Sequence, residues 1–292
     1  MGSNNFEERL AVLFTEPQQR NHYRDFVRQL WSRLSSDLCT PAVIGLTGAQ
    51  GSGKTTLATM LQLWAREQGI VAATVSLDDY YLSQQQRLVL ATTVHPLLAM
   101  RGMPGSHHIE QAIFDAQAVQ QGESASLPTF DKALDEPGEP GALQHIDLLI
   151  VEGWCLGLTP QTPEQLNCAV NTLELTEDQT AGWRTFVNQQ LAGLYQQYWQ
   201  LLSKLIWLKA PDWPAICRWR AQQEQQLRLN RGKGMNDAEL ERFMQSFQRL
   251  TEHSFLVLPQ RADVVVELDH LHQPHLHQPH LHQQHLHQPK LR

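Results

Sequence analysis

The run Gly48-Ala49-Gln50-Gly51-Ser52-Gly53-Lys54-Thr55, followed by Thr56, satisfies the spacing G-x-x-x-x-G-K-[ST]. Glycines at these offsets let backbone N–H groups wrap closely round a polyphosphate, and the positive end of a following helix adds to the attraction. In such a loop Lys54 reaches the β- and γ-phosphates of a nucleotide, and the Thr55 hydroxyl ligates Mg²⁺. At ordinary residue frequencies an accidental match in a chain of this size is on the order of 0.01. The loop therefore predicts nucleoside-triphosphate binding.

Five further segments carry groups able to act on a bound nucleotide. Ser76-Leu77-Asp78-Asp79-Tyr80-Tyr81 puts paired carboxylates and two aromatics at the end of a short apolar run. A carboxylate there can take the proton of a substrate hydroxyl as it attacks phosphorus, or it can simply cap a helix. Val151-Glu152-Gly153 places an acid where Mg²⁺ or the γ-phosphate can be held. In Arg101-Gly102-Met103-Pro104-Gly105-Ser106-His107-His108 a punctuated loop carries groups suited to a small anion, although a solvated surface loop would read the same way. Pro128-Thr129-Phe130-Asp131-Lys132 is a similar loop with an acid beside a base. Late in the chain, Arg218, Arg220 and Arg228 precede Arg231-Gly232-Lys233-Gly234, and basic groups before a glycine-flexed loop predict a lid over the phosphates.

Positioning these groups requires alternating strands and helices. Apolar spacing over 6–36 is helical with a break near Pro17, and 42–47 is a buried strand leading into the loop. A helix over 56–68 stops at Gly69, and strands follow over 70–77 and 146–151. A helical face spans 183–203, then a strand over 205–208, helices over 214–229 and 237–250, and a last strand over 263–268. Strands joined through helices predict an α/β, three-layer αβα P-loop fold with a mainly parallel sheet. The expected organisation is an N-terminal helical segment (1–39), one kinase-sized domain (40–268) and a tail (269–292).

That tail repeats HLHQP, holds eight of the 14 histidines, and has a proline at nearly every fifth residue, which denies it a helix or a central strand. It reads as low-complexity and disordered, with transition-metal binding by clustered imidazoles as its alternative chemistry. Of the 292 residues 41% are hydrophobic and 18% charged, enough for a large core and too few charges for a disordered chain. No apolar run is long enough to cross a bilayer, and the N-terminus lacks the basic and apolar regions of a secretion signal. Cys39, Cys155, Cys168 and Cys217 are scattered without C-x-x-C spacing, which fits a reducing, cytoplasmic setting. A net charge of -7 makes nucleic acid a poor partner.

Taken in order, GAQGSGKTT, SLDDYY, RGMPGSHH, PTFDK, VEGWCLGL and WRAQQEQQLR with GKGM resemble the plant and fungal D-glycerate 3-kinases and their bacterial kinase relatives. This branch of the P-loop kinases also holds uridine kinase, phosphoribulokinase and pantothenate kinase. The resemblance covers roughly residues 40 to 268 and implies ATP and Mg²⁺ as cofactors. It implies Asp78 as the base and Lys54 and Thr55 at the phosphates and metal, with Glu152 supporting the metal. Tyr81, Arg101, His107 and Asp131 would then line the acceptor site, and Arg220, Arg228 and Lys233 would belong to the lid. One departure stands out: the family's loop usually ends Thr-His-Asp, and this one ends Ser106-His107-His108. The expectation is a kinase for a small alcohol, foremost D-glycerate. The alternatives are another acceptor (a nucleoside, pantothenate or a sugar phosphate) or a regulatory ATPase that transfers nothing.

Overall fold

The computed structural model describes residues 5–231 and 234–277. Its strands in chain order are β1 (Ala42–Gly48), β2 (Ala72–Ser76), β3 (Phe130–Asp131), β4 (Glu136–Pro137), β5 (Leu148–Gly153), β6 (Lys204–Lys209), β7 (Val264–Leu268) and β8 (Pro274–Leu276). Six of them form one sheet in the order β2-β5-β1-β6-β7-β8, parallel except for β8, while β3 and β4 make a separate hairpin. The helices are α1 (Phe6–Leu13), α2 (Pro17–Ser35), α3 (Lys54–Glu67), α4 (Gln84–Thr93), α5 (Ile109–Gln120), α6 (Pro163–Asn167), α7 (Thr172–Glu177), α8 (Gly182–Ala192), α9 (Leu194–Gln200), α10 (Trp213–Arg231) and α11 (Asp237–Val257).

Every residue of β1 and β5 is buried, as parallel strands covered on both faces must be. Alternation along β1 sends Ala42, Ile44 and Leu46 to one core, built with α1, α2, α3 and α10. Val43 points to the opposite core, which is filled from α5, α8, α9 and the later turns of α11. The N-terminal helices belong to this packing: Phe6 meets Trp64 edge-on with ring centres 5.0 Å apart, and the Phe6 N–H donates to Glu67.

The structure departs from the periodicity reading in several places, and α5, α7 and the β3–β4 hairpin have no counterpart in it. The single helix expected over 183–203 is two, because Gly193 leaves the helical conformation between α8 and α9. α4 and α6 are likewise absent from that reading, and each begins with a closed capping box, Ser83 with Gln86 and Thr162 with Gln165. The sheet also runs beyond residue 268, where the tail was expected to begin. The last residue of the first HLHQP repeat, Pro274, and the first two of the second, His275 and Leu276, form β8 at the sheet edge, and the His277 carbonyl accepts from Arg33 of α2. Proline is compatible with this placement because an edge strand need not donate on its outer side. His280, His282, His285 and His287 lie outside the described residues. Among the described residues no group of His, Cys, Asp and Glu is arranged to hold a metal ion, and no helix is long and apolar enough to cross a membrane.

For the chemistry, one feature of the order matters most. β2, β5 and β1 are adjacent and parallel, so Asp78, Glu152 and the glycine loop emerge side by side at their carboxyl ends.

Candidate active site

The loop of residues 48–55 turns directly from β1 into α3. Gly53 adopts a left-handed φ of 87° at the helix N-cap, and a Cβ on Gly48 would lie 2.9 Å from Leu208 Cβ. Lys54 Nζ donates to the Ala49 carbonyl at 3.0 Å. Burial lowers its pKa from the ordinary lysine value although Glu152 and Asp78 pull the other way. The Thr55 hydroxyl donates to Glu152 Oε1 at 2.8 Å, so a hydroxyl and a carboxylate, both hard oxygen ligands, already share one corner.

These residues fit a phosphate chain with its magnesium ion. The side-chain amide of Gln50 lines the cleft and is buried without hydrogen-bond partners among the described residues, which leaves its N–H donors for a bound anion to satisfy. The glycine backbone supplies the cradle around them.

Asp78 and Asp79 sit in a short 3₁₀ turn that follows β2. Asp79 accepts from the Ser76 N–H at 2.9 Å and closes a capping box, so the capping reading holds for that residue. Asp78 instead faces the cleft, accepting from the Tyr81 hydroxyl at 2.6 Å and from Lys132 Nζ at 2.9 Å. Burial pushes its pKa up, but the Lys132 charge and these two hydrogen bonds outweigh that and hold the carboxyl below its ordinary range.

A cleft of about 810 Å³ joins Gln50, Gly51, Lys54, Thr55 and Thr56 to Asp78, Tyr81, Arg101 and Glu152. Arg220 enters from α10, paired with the buried Glu224 at 2.7 Å and lying 5.6 Å from the centre of the Phe243 ring. Met235, Phe243 and Phe247 supply an apolar wall on the same side. α10 also touches the glycine loop, since a Cβ on Gly51 would lie 3.4 Å from Trp219 Cβ.

Other residues singled out in the sequence stand elsewhere. His107 is buried behind Tyr81, its ring stacked at 4.8 Å, and Nδ1 bonds the Tyr195 hydroxyl at 2.7 Å. Burial lowers its pKa to about 4, so the imidazole is neutral at pH 7. Asp131 is exposed and accepts the N–H groups of Ala133 and Leu134, forming its own turn rather than lining the cleft. Arg228 pairs with Asp237 at 3.1 Å and faces a different groove. Lys233 lies outside the described residues. His108 occupies the N-cap position of α5 with an exposed side chain that makes no cap. The departure from the family's loop at this position therefore falls at a helix end.

Arg87 and Asp135 escaped the sequence reading, and Lys132, marked there only as a base beside Asp131, is the partner of Asp78. Arg87 sits on α4 with 1% exposure, and it and Arg101 both donate to the carboxylate of Asp135. The only local signal was the acid–base density of the segment from Asp131 to Asp135.

Comparison with known proteins places the chain among kinases. The chain is 30% identical over 220 residues to the uncharacterized kinase mug58 of Schizosaccharomyces pombe, covering 71% of this chain and 78% of the other. The chain belongs to the D-glycerate 3-kinase-like family of P-loop kinases. The kinase is also 27% identical to the chloroplastic D-glycerate 3-kinase of Arabidopsis thaliana, over 71% of its own length and 46% of the plant protein. It thus spans about half of that relative. Among solved structures, the D-glycerate 3-kinase of Cryptococcus neoformans superposes with a TM-score of 0.68 at 25% identity, covering 87% of this chain and 97% of the other. No family model matches the sequence. The protein is accordingly a phosphotransferase.

Proposed function

We propose that this kinase uses ATP and Mg²⁺ to phosphorylate a hydroxyl of a small acceptor, with D-glycerate the acceptor that its relatives favour. One observation carries the reading: the Asp78 carboxylate shares a single cleft with the phosphate loop and with Arg101, leaving room for a second molecule beside the nucleotide. A regulatory ATPase has no need of that second compartment.

Lys54 and the loop N–H groups would hold the β- and γ-phosphates, and Thr55 with Glu152 would hold the metal. Mg²⁺, when bound, neutralises phosphate charge. Asp78 accepts the proton of the acceptor hydroxyl as its oxygen attacks the γ-phosphorus in line, and the Tyr81 hydroxyl keeps that carboxylate oriented. A carboxylate held below its ordinary pKa is a weak base, so most of the acceleration falls to positioning and charge neutralisation by Lys54 and Arg220. Arg101 suits the anionic end of the acceptor. His107 acts by holding Tyr81, and the apolar wall from α11 keeps water from the transferring group.

The test is transfer from γ-labelled ATP to a panel of D-glycerate, glycerol, uridine, pantothenate and a sugar phosphate, with products identified by mass spectrometry. Label in a phosphoglycerate is expected. Label in another product would move the kinase to that acceptor, and release of free phosphate alone would turn it into a regulatory ATPase.

A further inference from the structure

The β3–β4 hairpin forms one wall of the cleft and makes three charged contacts across it. Lys132 binds Asp78, and Asp135 binds two arginines, its Oδ2 accepting from Arg87 and its Oδ1 from Arg101. Asp135 has a φ of 60°, in the left-handed region that is unusual for a residue with a Cβ. Arg87 has little freedom to turn, because Nε donates to the Ala99 carbonyl at 3.3 Å and Nη1 to the Leu82 carbonyl at 2.6 Å. Arg101 is held over the Phe130 ring, 5.6 Å from its centre. Two fixed guanidinium groups converging on one carboxylate make an oxyanion site, and here the protein itself supplies the oxyanion. Phe130 also packs edge-on against Tyr81 at 5.3 Å, so the anion site and the Tyr81–Asp78 pair lie on either side of one aromatic ring.

We propose that Asp135 is an internal stand-in for the acceptor's carboxylate, and that the β3–β4 hairpin is a latch which occupies the Arg87–Arg101 subsite and caps Asp78 through Lys132 until an anionic acceptor displaces it. This rests on the acceptor reading above and narrows it to small hydroxy acids. Exchanging one carboxylate for another leaves the buried Arg87 paired throughout. A neutral alcohol would have to strip Arg87 of its partner, which the low-dielectric surroundings oppose. Acceptor binding thereby also frees Asp78 from Lys132, so the base is released only when the right class of molecule is present.

The experiment compares wild type with Asp135→Asn. Calorimetry without nucleotide measures binding of D-glycerate, glycerol and acetate, the last being a carboxylate with no hydroxyl to phosphorylate. A latch closed about nine-tenths of the time weakens apparent affinity about 10-fold. Asp135→Asn is therefore expected to bind D-glycerate and acetate about 10-fold more tightly, with glycerol unmoved. In wild type, hydrogen exchange over residues 130–137 is expected to accelerate on saturation with D-glycerate and to stay unchanged with glycerol. Unchanged or weaker carboxylate binding by a natively folded Asp135→Asn overturns the latch. So does a hairpin whose exchange ignores bound glycerate, a measurement that decides the matter alone if the variant does not fold. If wild type phosphorylates nothing, the acceptor reading fails, while acetate binding and hairpin exchange still report on the latch.

Discussion

Asp79 gives its carboxylate to the N–H of Ser76, whereas Asp78, one residue earlier, turns to Tyr81 and Lys132 in the cleft. Asp78→Asn keeps the shape and removes the proton acceptor. The expected result is a kcat lower by at least ~100-fold with nucleotide affinity unchanged by calorimetry, and normal turnover would remove Asp78 from the mechanism. Because its pKa is depressed, the carboxylate stays ionised below the ordinary aspartate range, so kcat/KM should remain level as pH falls from 8 to about 5. Lys132→Met removes the adjacent cation and should move the acid limb of that profile to higher pH. His107 gives a separate pH signature. With a folded pKa of about 4 against an ordinary 6.5, the unfolded chain binds a proton in that window that the folded chain does not. Stability should therefore rise with pH from 4 to 6.5, by about 3 kcal/mol in all. In His107→Gln, urea midpoints at pH 4.5 and 7 should draw closer together, and an unchanged gap would assign the slope to other groups.

At the scale of elements, the cleft depends on where α10 and α11 sit. Arg220 comes from the first of these helices and Phe243 and Phe247 of the apolar wall from the second. α11 is tied to α7 by a buried pair, Arg249 donating to Glu174 at 2.7 and 2.6 Å and also to the carbonyls of Gln165 and Cys168. Neither side chain reaches solvent appreciably, so removing one charge strands the other. Glu174→Gln should lower unfolding free energy by about 3 kcal/mol, seen as a lower urea midpoint. A shift below about 1 kcal/mol would mean that the carbonyl contacts suffice to hold Arg249.

Over the whole molecule the charge is -7, yet Lys54, Arg87, Arg101, Lys132 and Arg220 outnumber Asp78, Asp135 and Glu152 in the lining of one cleft. Such focusing draws small anions to a protein that repels them overall. The sheet is completed by the chain's own repeat. Asp269 closes the turn by accepting from Leu271 and Gln273, Pro274 is buried in β8, and His272 stacks on Trp219 with ring centres 4.2 Å apart. Truncation after Asp269 should leave phosphoryl transfer intact at 25 °C. It should also lower stability by about 2 kcal/mol, the scale of one or two buried side chains, and Tm by about 2–4 °C. Loss of transfer at 25 °C would show that the Trp219–His272 stack supports the phosphate loop as well as the sheet edge.

What the chain's order of residues determined by itself was local chemistry. G-x-x-x-x-G-K-T demands a turn between strand and helix, apolar runs such as Val43 to Leu46 demand a buried strand, and SLDDYY and VEG fall at strand ends. Each of those follows from contacts within a few residues. Tertiary structure alone decided which of two adjacent aspartates faces the cleft and that His107 lies behind Tyr81. It also decided that Arg87, 48 residues before Asp135, meets that carboxylate. Pairing between distant segments depends on strand order and helix packing, which fix direction and distance in space, and no spacing along the chain records either.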